Sequence, residues 1–126
     1  MSVHEPHRLA GEFAERVNSA DLDGVVALYE PGAMFVGGDG TCAAGHAEIR
    51  RTLREMLAAR PRITGVVTEA SFVAEDVALL CNRWQMTFGA LAEAEAVRGS
   101  SVEVARRQTD GTWLYAIDRP RADASR

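Results

Sequence analysis

The fold is decided by the stretch Val102-Glu-Val-Ala-Arg-Arg-Gln-Thr-Asp-Gly-Thr-Trp-Leu-Tyr-Ala-Ile-Asp-Arg119. Its Asp-Gly dipeptide lies between two segments rich in β-branched and aromatic residues, which is the strongest short-range signal of a β-hairpin. We therefore predict two antiparallel strands, residues 98–109 and 112–119, joined by a two-residue turn at Asp110 and Gly111.

This register brings two acidic residues together. If Thr109 pairs with Thr112, then Glu103 lies directly opposite Asp118 on the same face of the hairpin. Like charges facing each other across a ladder repel, so one of the two carboxyl groups is expected to have a raised pKa. Such a pair holds one acid and one base near neutral pH, which is what proton transfer on a small molecule requires.

The alternation of the hairpin leaves two locations open for this carboxyl pair. Glu103 and Asp118 face an internal pocket in the first alternative. In the second they lie on the solvated convex face, and Trp113, Tyr115 and Ile117 form the opposite, more apolar face.

A second hairpin is predicted upstream. Residues 63–74 and 77–88 are rich in β-branched and aromatic residues and meet at Glu75 and Asp76, a two-residue turn. Trp84 and Met86 fall on one face of the longer strand, because successive side chains alternate. Residues 89–96 form an alanine- and glutamate-rich connector to the last hairpin.

The first half of the chain has helical periodicity. A helix is predicted over residues 5–18, and a second begins at the N-cap Asp21 and continues to Tyr29, where Glu30-Pro31-Gly32 ends it. A short strand (33–36) and a glycine-rich turn (37–40) precede a third helix, which begins near Gly45 and stops before Pro61.

Three helices followed by a strand-rich half predict an α+β fold, with the helices packed on one face of a curved antiparallel sheet. This arrangement leaves a conical, apolar cavity of the kind that holds small hydrophobic molecules. We expect a single domain over residues 1–120 and a disordered tail over 121–126. The expected pocket residues are Phe13, Tyr29, Trp84, Met86 and Trp113.

Composition excludes several classes of function. The formal net charge is −4, so no basic field attracts nucleic acid or an anionic membrane. All 14 basic residues other than histidine are arginine, which excludes Schiff-base and phosphate-loop lysines. The 2 cysteines predict neither a disulfide framework nor a zinc site, and no metal or cofactor is expected. Without an apolar leader or spanning segment, we expect a cytoplasmic protein.

Four segments carry a resemblance to a known family. They are Phe13-Ala-Glu-Arg-Val-Asn-Ser-Ala-Asp-Leu-Asp-Gly-Val-Val-Ala-Leu-Tyr29, Gly45-His-Ala-Glu-Ile-Arg50, Val104-Ala-Arg-Arg-Gln-Thr-Asp-Gly-Thr-Trp113 and Ala116-Ile-Asp-Arg-Pro120. Together they resemble the SnoaL-like and ketosteroid-isomerase-like branch of the NTF2-like superfamily, and the ending is most similar to members labelled SnoaL-like or DUF4440. The resemblance implies a cone of three N-terminal helices on a strongly curved, mainly antiparallel sheet that encloses a pocket.

The resemblance also assigns positions to the steroid-isomerase residues. The position of the family's oxyanion-donating tyrosine is occupied by Phe13, which has no hydroxyl group. The general-base aspartate falls on Gly37, and Asp39, two residues later, is a displaced candidate. The neutral carboxylic acid corresponds to Glu103. Steroid isomerisation by the family mechanism is therefore not expected.

Two classes of function remain. The first is a cofactor-free isomerase, cyclase or hydratase that acts on a small apolar, carbonyl-bearing molecule through Glu103, Asp118 and the candidate Asp39. The second is a non-catalytic protein, either a binder of a hydrophobic ligand or a homodimeric association module. Homodimerisation is compatible with both classes.

Overall fold

The computed structural model describes residues 2–89 and 96–122. A 3₁₀ turn, Pro6–Arg8, leads into helix α1, Leu9–Asn18, and two further helices follow: α2, Leu22–Val26, and α3, Gly45–Ala58. The predicted connector at 89–96 and tail at 121–126 lie largely outside the described residues. Ala122 is described, and its N–H donates to the carbonyl oxygen of Ser100 over 2.8 Å.

In the part of the chain that the structure describes, six strands form one mixed sheet. Their bounds in chain order are Tyr29–Val36 (β1), Cys42–Ala44 (β2), Pro61–Ala74 (β3), Val77–Phe88 (β4), Val97–Arg107 (β5) and Trp113–Arg119 (β6). The spatial order is β2-β1-β6-β5-β4-β3, and every neighbouring pair is antiparallel except β1 and β6. The α+β class with helices packed on a mainly antiparallel sheet is confirmed, and the sheet is open rather than closed.

The helices cover one face of this sheet through apolar stripes. Leu9 and Val17 of α1 and Ile49 and Leu53 of α3 are almost completely buried. Asn18, at the end of α1, fixes that helix to β3: its side chain donates to the carbonyl oxygen of Ile63 over 2.9 Å and accepts from the Ile63 N–H over 2.7 Å. Both hydrogen bonds hold α1 across the mouth of the curved sheet.

The second helix is shorter than predicted, and the first strand is longer. Asp21 caps α2 as expected, because its side chain accepts from the Gly24 N–H over 3.0 Å. Tyr29 belongs to β1 and not to the helix. Proline at position 31 is tolerated inside this strand because the pairing of β1 with β6 is irregular between Tyr29 and Met34, so the ladder there does not require its missing N–H.

The turn of the last hairpin differs from the prediction by one residue. Gln108, and not Thr109, lies opposite Thr112, and the Gln108 N–H donates to the Thr112 carbonyl oxygen over 2.7 Å. Gly111 has φ +87, so the connection is a three-residue loop with glycine in the left-handed region. Consequently Ala105 pairs with Tyr115, and not with the predicted Ala116.

A β-bulge in β6 restores the predicted register beyond this point. Ala105 pairs with Tyr115 whereas Val104 pairs with Ile117, so Ala116 is an extra residue on β6. Glu103 therefore does lie opposite Asp118. The bulge also changes which side chains share a face: Tyr115 is on the concave face with the two carboxyl groups, and Ile117 is on the outer face. The prediction that Tyr115 and Ile117 share one face is wrong.

Gly99 offers a test of this packing. A Cβ atom at this position would overlap the indole ring of Trp84, whereas a Cβ at Gly11 in α1 would meet no atom within 4 Å. We expect Gly99→Ala to lower the free energy of unfolding by about 1–3 kcal/mol through overpacking. Gly11→Ala should raise it by about 0.5–1 kcal/mol, because alanine is the better helix former. Urea denaturation of both variants measures this, and equal stabilities would contradict the observed packing.

Candidate functional site

A cavity lies between the helices and the concave face of the sheet. Its volume is about 100 Å³, several times the ~10–15 Å³ that one water molecule needs. Most of its wall is apolar or aromatic, and the polar side chains come from strands β4, β5 and β6. The lining residues are Ala10, Phe13, Phe35, Met56, Ile63, Val66, Asn82, Trp84, Met86, Ser101, Glu103, Tyr115, Asp118 and Pro120.

Glu103 and Asp118 form a buried carboxyl pair in this wall. Each is only 4% exposed, so the alternative that places them on a solvated convex face is wrong. Desolvation is the largest effect on both groups: it raises the pKa of Glu103 to about 8, with a further contribution from the charge of Asp118, and that of Asp118 to about 6. The two side chains lie opposite each other on β5 and β6, and each affects the pKa of the other. Near neutral pH the pair therefore shares one proton, which resides on Glu103.

Tyr29 stabilises the ionised member of the pair. Its side chain is 1% exposed, and its hydroxyl donates to Oδ2 of Asp118 over 2.5 Å. This bond lowers the pKa of Asp118 and opposes the effect of burial. Tyr29 does not line the cavity and therefore, contrary to the prediction, is not placed to contact a ligand. Its role is to donate a hydrogen bond to the Asp118 carboxylate from outside the cavity.

Asn82 orients the protonated member. Its Nδ2 donates to Oε1 of Glu103 over 2.6 Å and lies 3.2 Å from Oγ of Ser101. The orientation of the amide group is fixed because Oδ1 accepts from the Thr68 hydroxyl over 2.6 Å. Since Oε1 of Glu103 already accepts a hydrogen bond from Asn82, the proton of the acid is placed on Oε2.

Trp84 is held in the apolar wall by contacts with several other parts of the chain. Its Nε1 donates to the Pro120 carbonyl oxygen over 2.9 Å, and its ring covers Gly99. The guanidinium carbon of Arg121 lies 5.5 Å from the ring centroid, within cation–π range. The indole therefore ties β4 and β5 to the turn after β6 at one end of the cavity.

Three of the five predicted pocket residues line the cavity; Tyr29 and Trp113 do not, and neither does the catalytic candidate Asp39. Phe13, Trp84 and Met86 are in its wall. Trp113 is buried but lies away from the cavity, where its backbone N–H donates to the Val3 carbonyl oxygen over 2.8 Å. Asp39 is exposed in the glycine-rich turn, and its side chain accepts two hydrogen bonds from Thr41. We therefore drop Trp113 and Asp39 from the site.

Sequence reasoning missed three polar residues of the cavity: Asn82, Ser101 and Tyr115. Two of them could have been predicted from the alternation of side chains. Asn82 lies between Leu80 and Trp84 in the period-two pattern, and Ser101 is two residues from Glu103. Tyr115 could not have been, because the bulge at Ala116 reverses its face.

Neither a cluster of metal-ligating side chains nor a helix able to span a membrane is present in the described residues, 2–89 and 96–122. Within these ranges no group of three histidine, cysteine or acidic side chains is arranged to hold a metal ion. No helix in the same ranges combines the length and apolar character needed to cross a bilayer.

Residues 10–116 match the model of the SnoaL-like domain. The fold is similar to a ketosteroid isomerase-like protein from Erwinia carotovora (TM-score 0.69, 17% identity, 88% of this chain and 88% of that one). It is also similar to a protein from Thiobacillus denitrificans described as a calcium/calmodulin-dependent protein kinase type II association domain (TM-score 0.76, 19% identity, 95% and 98%). At these identities the likeness concerns the fold alone. Among curated proteins, none matches this chain.

The carboxyl pair predicts how stability depends on pH. The pKa values of Glu103 and Asp118 are raised in the folded state, so the folded protein keeps protons that the unfolded chain releases. Stability should therefore fall as the pH rises from about 4 to about 8, by up to ~1.4 kcal/mol per unit of pKa shift. Glu103→Gln should flatten this slope and be more stable than the wild type at pH 9.

Asp39→Asn is the matched control for this measurement, since Asp39 is exposed and its pKa is lowered. Its stability should follow that of the wild type between pH 5 and pH 9 in urea denaturation. A Glu103→Gln variant with the wild-type slope would show that the pair is not buried as described.

Proposed function

The chain belongs to the SnoaL-like domain family, and we propose that it is a cofactor-free acid–base catalyst that moves a proton on a small, neutral, carbonyl-bearing molecule. The observation that carries this proposal is the buried pair of Glu103 and Asp118 in the wall of an apolar cavity. The fold that the chain shares with a ketosteroid isomerase-like protein is compatible with this class of chemistry.

The two carboxyl groups suit a single tautomerisation step. The Asp118 carboxylate takes a proton from the carbon next to the carbonyl group, and the Glu103 acid donates its proton to the carbonyl oxygen. The C–H electron pair becomes the C=C bond, and the C=O electron pair becomes the new O–H bond of an enol. The pair holds one proton before and after the step, so its charge does not change. Because the two groups face each other across β5 and β6, the proton taken up by Asp118 can return to Glu103.

The composition of the cavity wall favours a neutral ligand. None of the described lining residues is basic, and Asp118 supplies a negative charge. A carboxylate or phosphate group would meet this charge in a desolvated space without a cation to offset it. A compact apolar molecule with one carbonyl group matches the wall.

Proton–deuterium exchange tests the proposal without knowledge of the natural substrate. Wild-type protein in D₂O should accelerate loss of the α-hydrogens of cyclohexanone, followed by proton NMR. Asp118→Asn should lose this acceleration, and Glu103→Gln should reduce it by about 10²- to 10⁴-fold, which is the usual contribution of a general acid or base. The rate should be bell-shaped in pH, with limbs near about 6 and about 8.

Asp39→Asn is the control in this assay, because it removes an exposed carboxylate outside the cavity. Its exchange rate should equal that of the wild type. If wild-type protein binds cyclohexanone and exchange proceeds at the protein-free rate, the catalytic proposal fails and a ligand-binding role without chemistry replaces it.

A second function, self-association, is favoured by the outer face of the sheet. One row of paired residues crosses five neighbouring strands on this face: Met34, Ile117, Val104, Leu79 and Phe72. All of them are apolar, and four are exposed large hydrophobic residues. A contiguous apolar surface of this kind is typical of a subunit interface. The association domain described from Thiobacillus denitrificans has a similar fold and supports this proposal.

A homodimer formed through this row should be broken by a charge at its centre. Leu79→Glu should shift the protein from dimer to monomer at micromolar concentration in analytical ultracentrifugation. Phe88→Glu is the matched control, since Leu79 and Phe88 are each 41% exposed and Phe88 lies outside the row. A wild-type protein that sediments as a monomer, or a Leu79→Glu variant that remains a dimer, would contradict this interface.

A further inference from the structure

The hydroxyl group of Tyr115 is a buried donor with no acceptor among the residues that the structure describes. The residue is 2% exposed and lines the cavity. No group in residues 2–89 and 96–122 forms a hydrogen bond with this hydroxyl. Its oxygen is not among the unpaired atoms that are completely inaccessible to solvent. Its neighbour Tyr29 is equally buried, with ring centroids 5.3 Å apart, but donates to Asp118. The two tyrosines differ in that only the hydroxyl of Tyr115 is available to a ligand.

The Tyr115 ring is fixed by its neighbours. Phe13 packs against it edge to face with centroids 6.4 Å apart, and Tyr29 packs against it at a tilt. Burial, together with the charges of Glu103 and Asp118, raises the pKa of Tyr115 well above that of a free tyrosine. The phenol therefore stays protonated and presents its O–H from a defined position.

We propose that Tyr115 donates a hydrogen bond to an acceptor oxygen of the bound molecule and so selects oxygen-bearing ligands over hydrocarbons of the same shape. This inference rests on the proposed function, because it requires that the cavity hold a small neutral molecule. An apolar ligand that displaced water from the cavity would leave the phenol without any acceptor, and an unpaired buried donor is costly. A carbonyl oxygen within reach of Tyr115 removes that cost. Discrimination by an unpaired polar group in the site is stronger than discrimination by shape alone.

Two probes of nearly equal shape separate this contribution from simple apolar burial. Cyclohexanone has a C=O group where methylenecyclohexane has a C=CH₂ group. Their dissociation constants are measured by chemical-shift titration of ¹⁵N-labelled wild type and Tyr115→Phe. We expect the wild type to prefer the ketone, and Tyr115→Phe to lose about fivefold in ketone affinity, the usual effect of one hydrogen bond. The affinity for the hydrocarbon should not fall.

Tyr29→Phe is the matched variant for stability. It removes a hydroxyl that is hydrogen-bonded within the protein, so its urea midpoint should fall below that of the wild type. Tyr115→Phe removes a hydroxyl without a protein partner and should keep the wild-type midpoint. An equal fall in both variants would show that the Tyr115 hydroxyl is bonded within the protein, and would overturn the inference.

The outcomes also separate this inference from the proposed function. If Tyr115→Phe retains the wild-type affinity for cyclohexanone, the role of Tyr115 is overturned while ligand binding by the cavity stands. If neither probe binds to the wild type, the cavity is not a site for small neutral molecules, and both proposals fail. The α-hydrogen exchange assay reports separately on Glu103 and Asp118.

Discussion

The structure depends on the burial of two carboxyl groups side by side. Water stabilises a carboxylate far better than an apolar wall does, so each group placed in the cavity costs free energy unless it is neutralised or hydrogen-bonded. The surroundings of Glu103 and Asp118 meet this cost in two ways. One shared proton removes most of the repulsion, and donors on β1 and β4 satisfy the remaining oxygens. The hydrogen bonds of the polar groups in the cavity wall therefore depend on this one proton.

The pairing of Glu103 with Asp118 was predicted correctly because two features that the prediction omitted have opposite effects on the strand register. The three-residue loop moves the register by one residue, and the bulge at Ala116 moves it back. The bounds of β4 were predicted to the residue, because Glu75 and Asp76 mark its start and the alternation of Trp84, Met86 and Phe88 continues to its end. The faces of β6 were not predictable, since an alanine in a strand gives no local signal that it is extra. A bulge is set by how neighbouring strands fit, which no single segment records.

The two faces of the same sheet serve the two proposed functions. On β5, Ser101 and Glu103 line the cavity and Ala105 is buried on the same face, whereas Val102 and Val104 face outward. Because successive side chains of β5 point to opposite faces, residues that are adjacent in sequence serve different proposed functions. Those on the concave face contact the ligand, and those on the outer face contact a second subunit. The fold alone decides neither function, because proteins of similar fold are described both as ketosteroid isomerase-like and as association domains. The polar side chains on the concave face of this chain are therefore what supports the proposed chemistry.

The single extra residue in β6 decides which side chains reach the cavity. Asp118 lies on one side of Ala116 in the chain, and Tyr115 lies on the other. Residues three apart in a regular strand point to opposite faces, so these two side chains share the concave face only because of the bulge. If the register of Glu103 and Asp118 continued unbroken to the turn, Tyr115 would lie opposite Arg106 on the outer face, where its phenol would meet water or another subunit. A change in hairpin pairing alone, with no substitution in the cavity wall, would therefore remove this donor from the site.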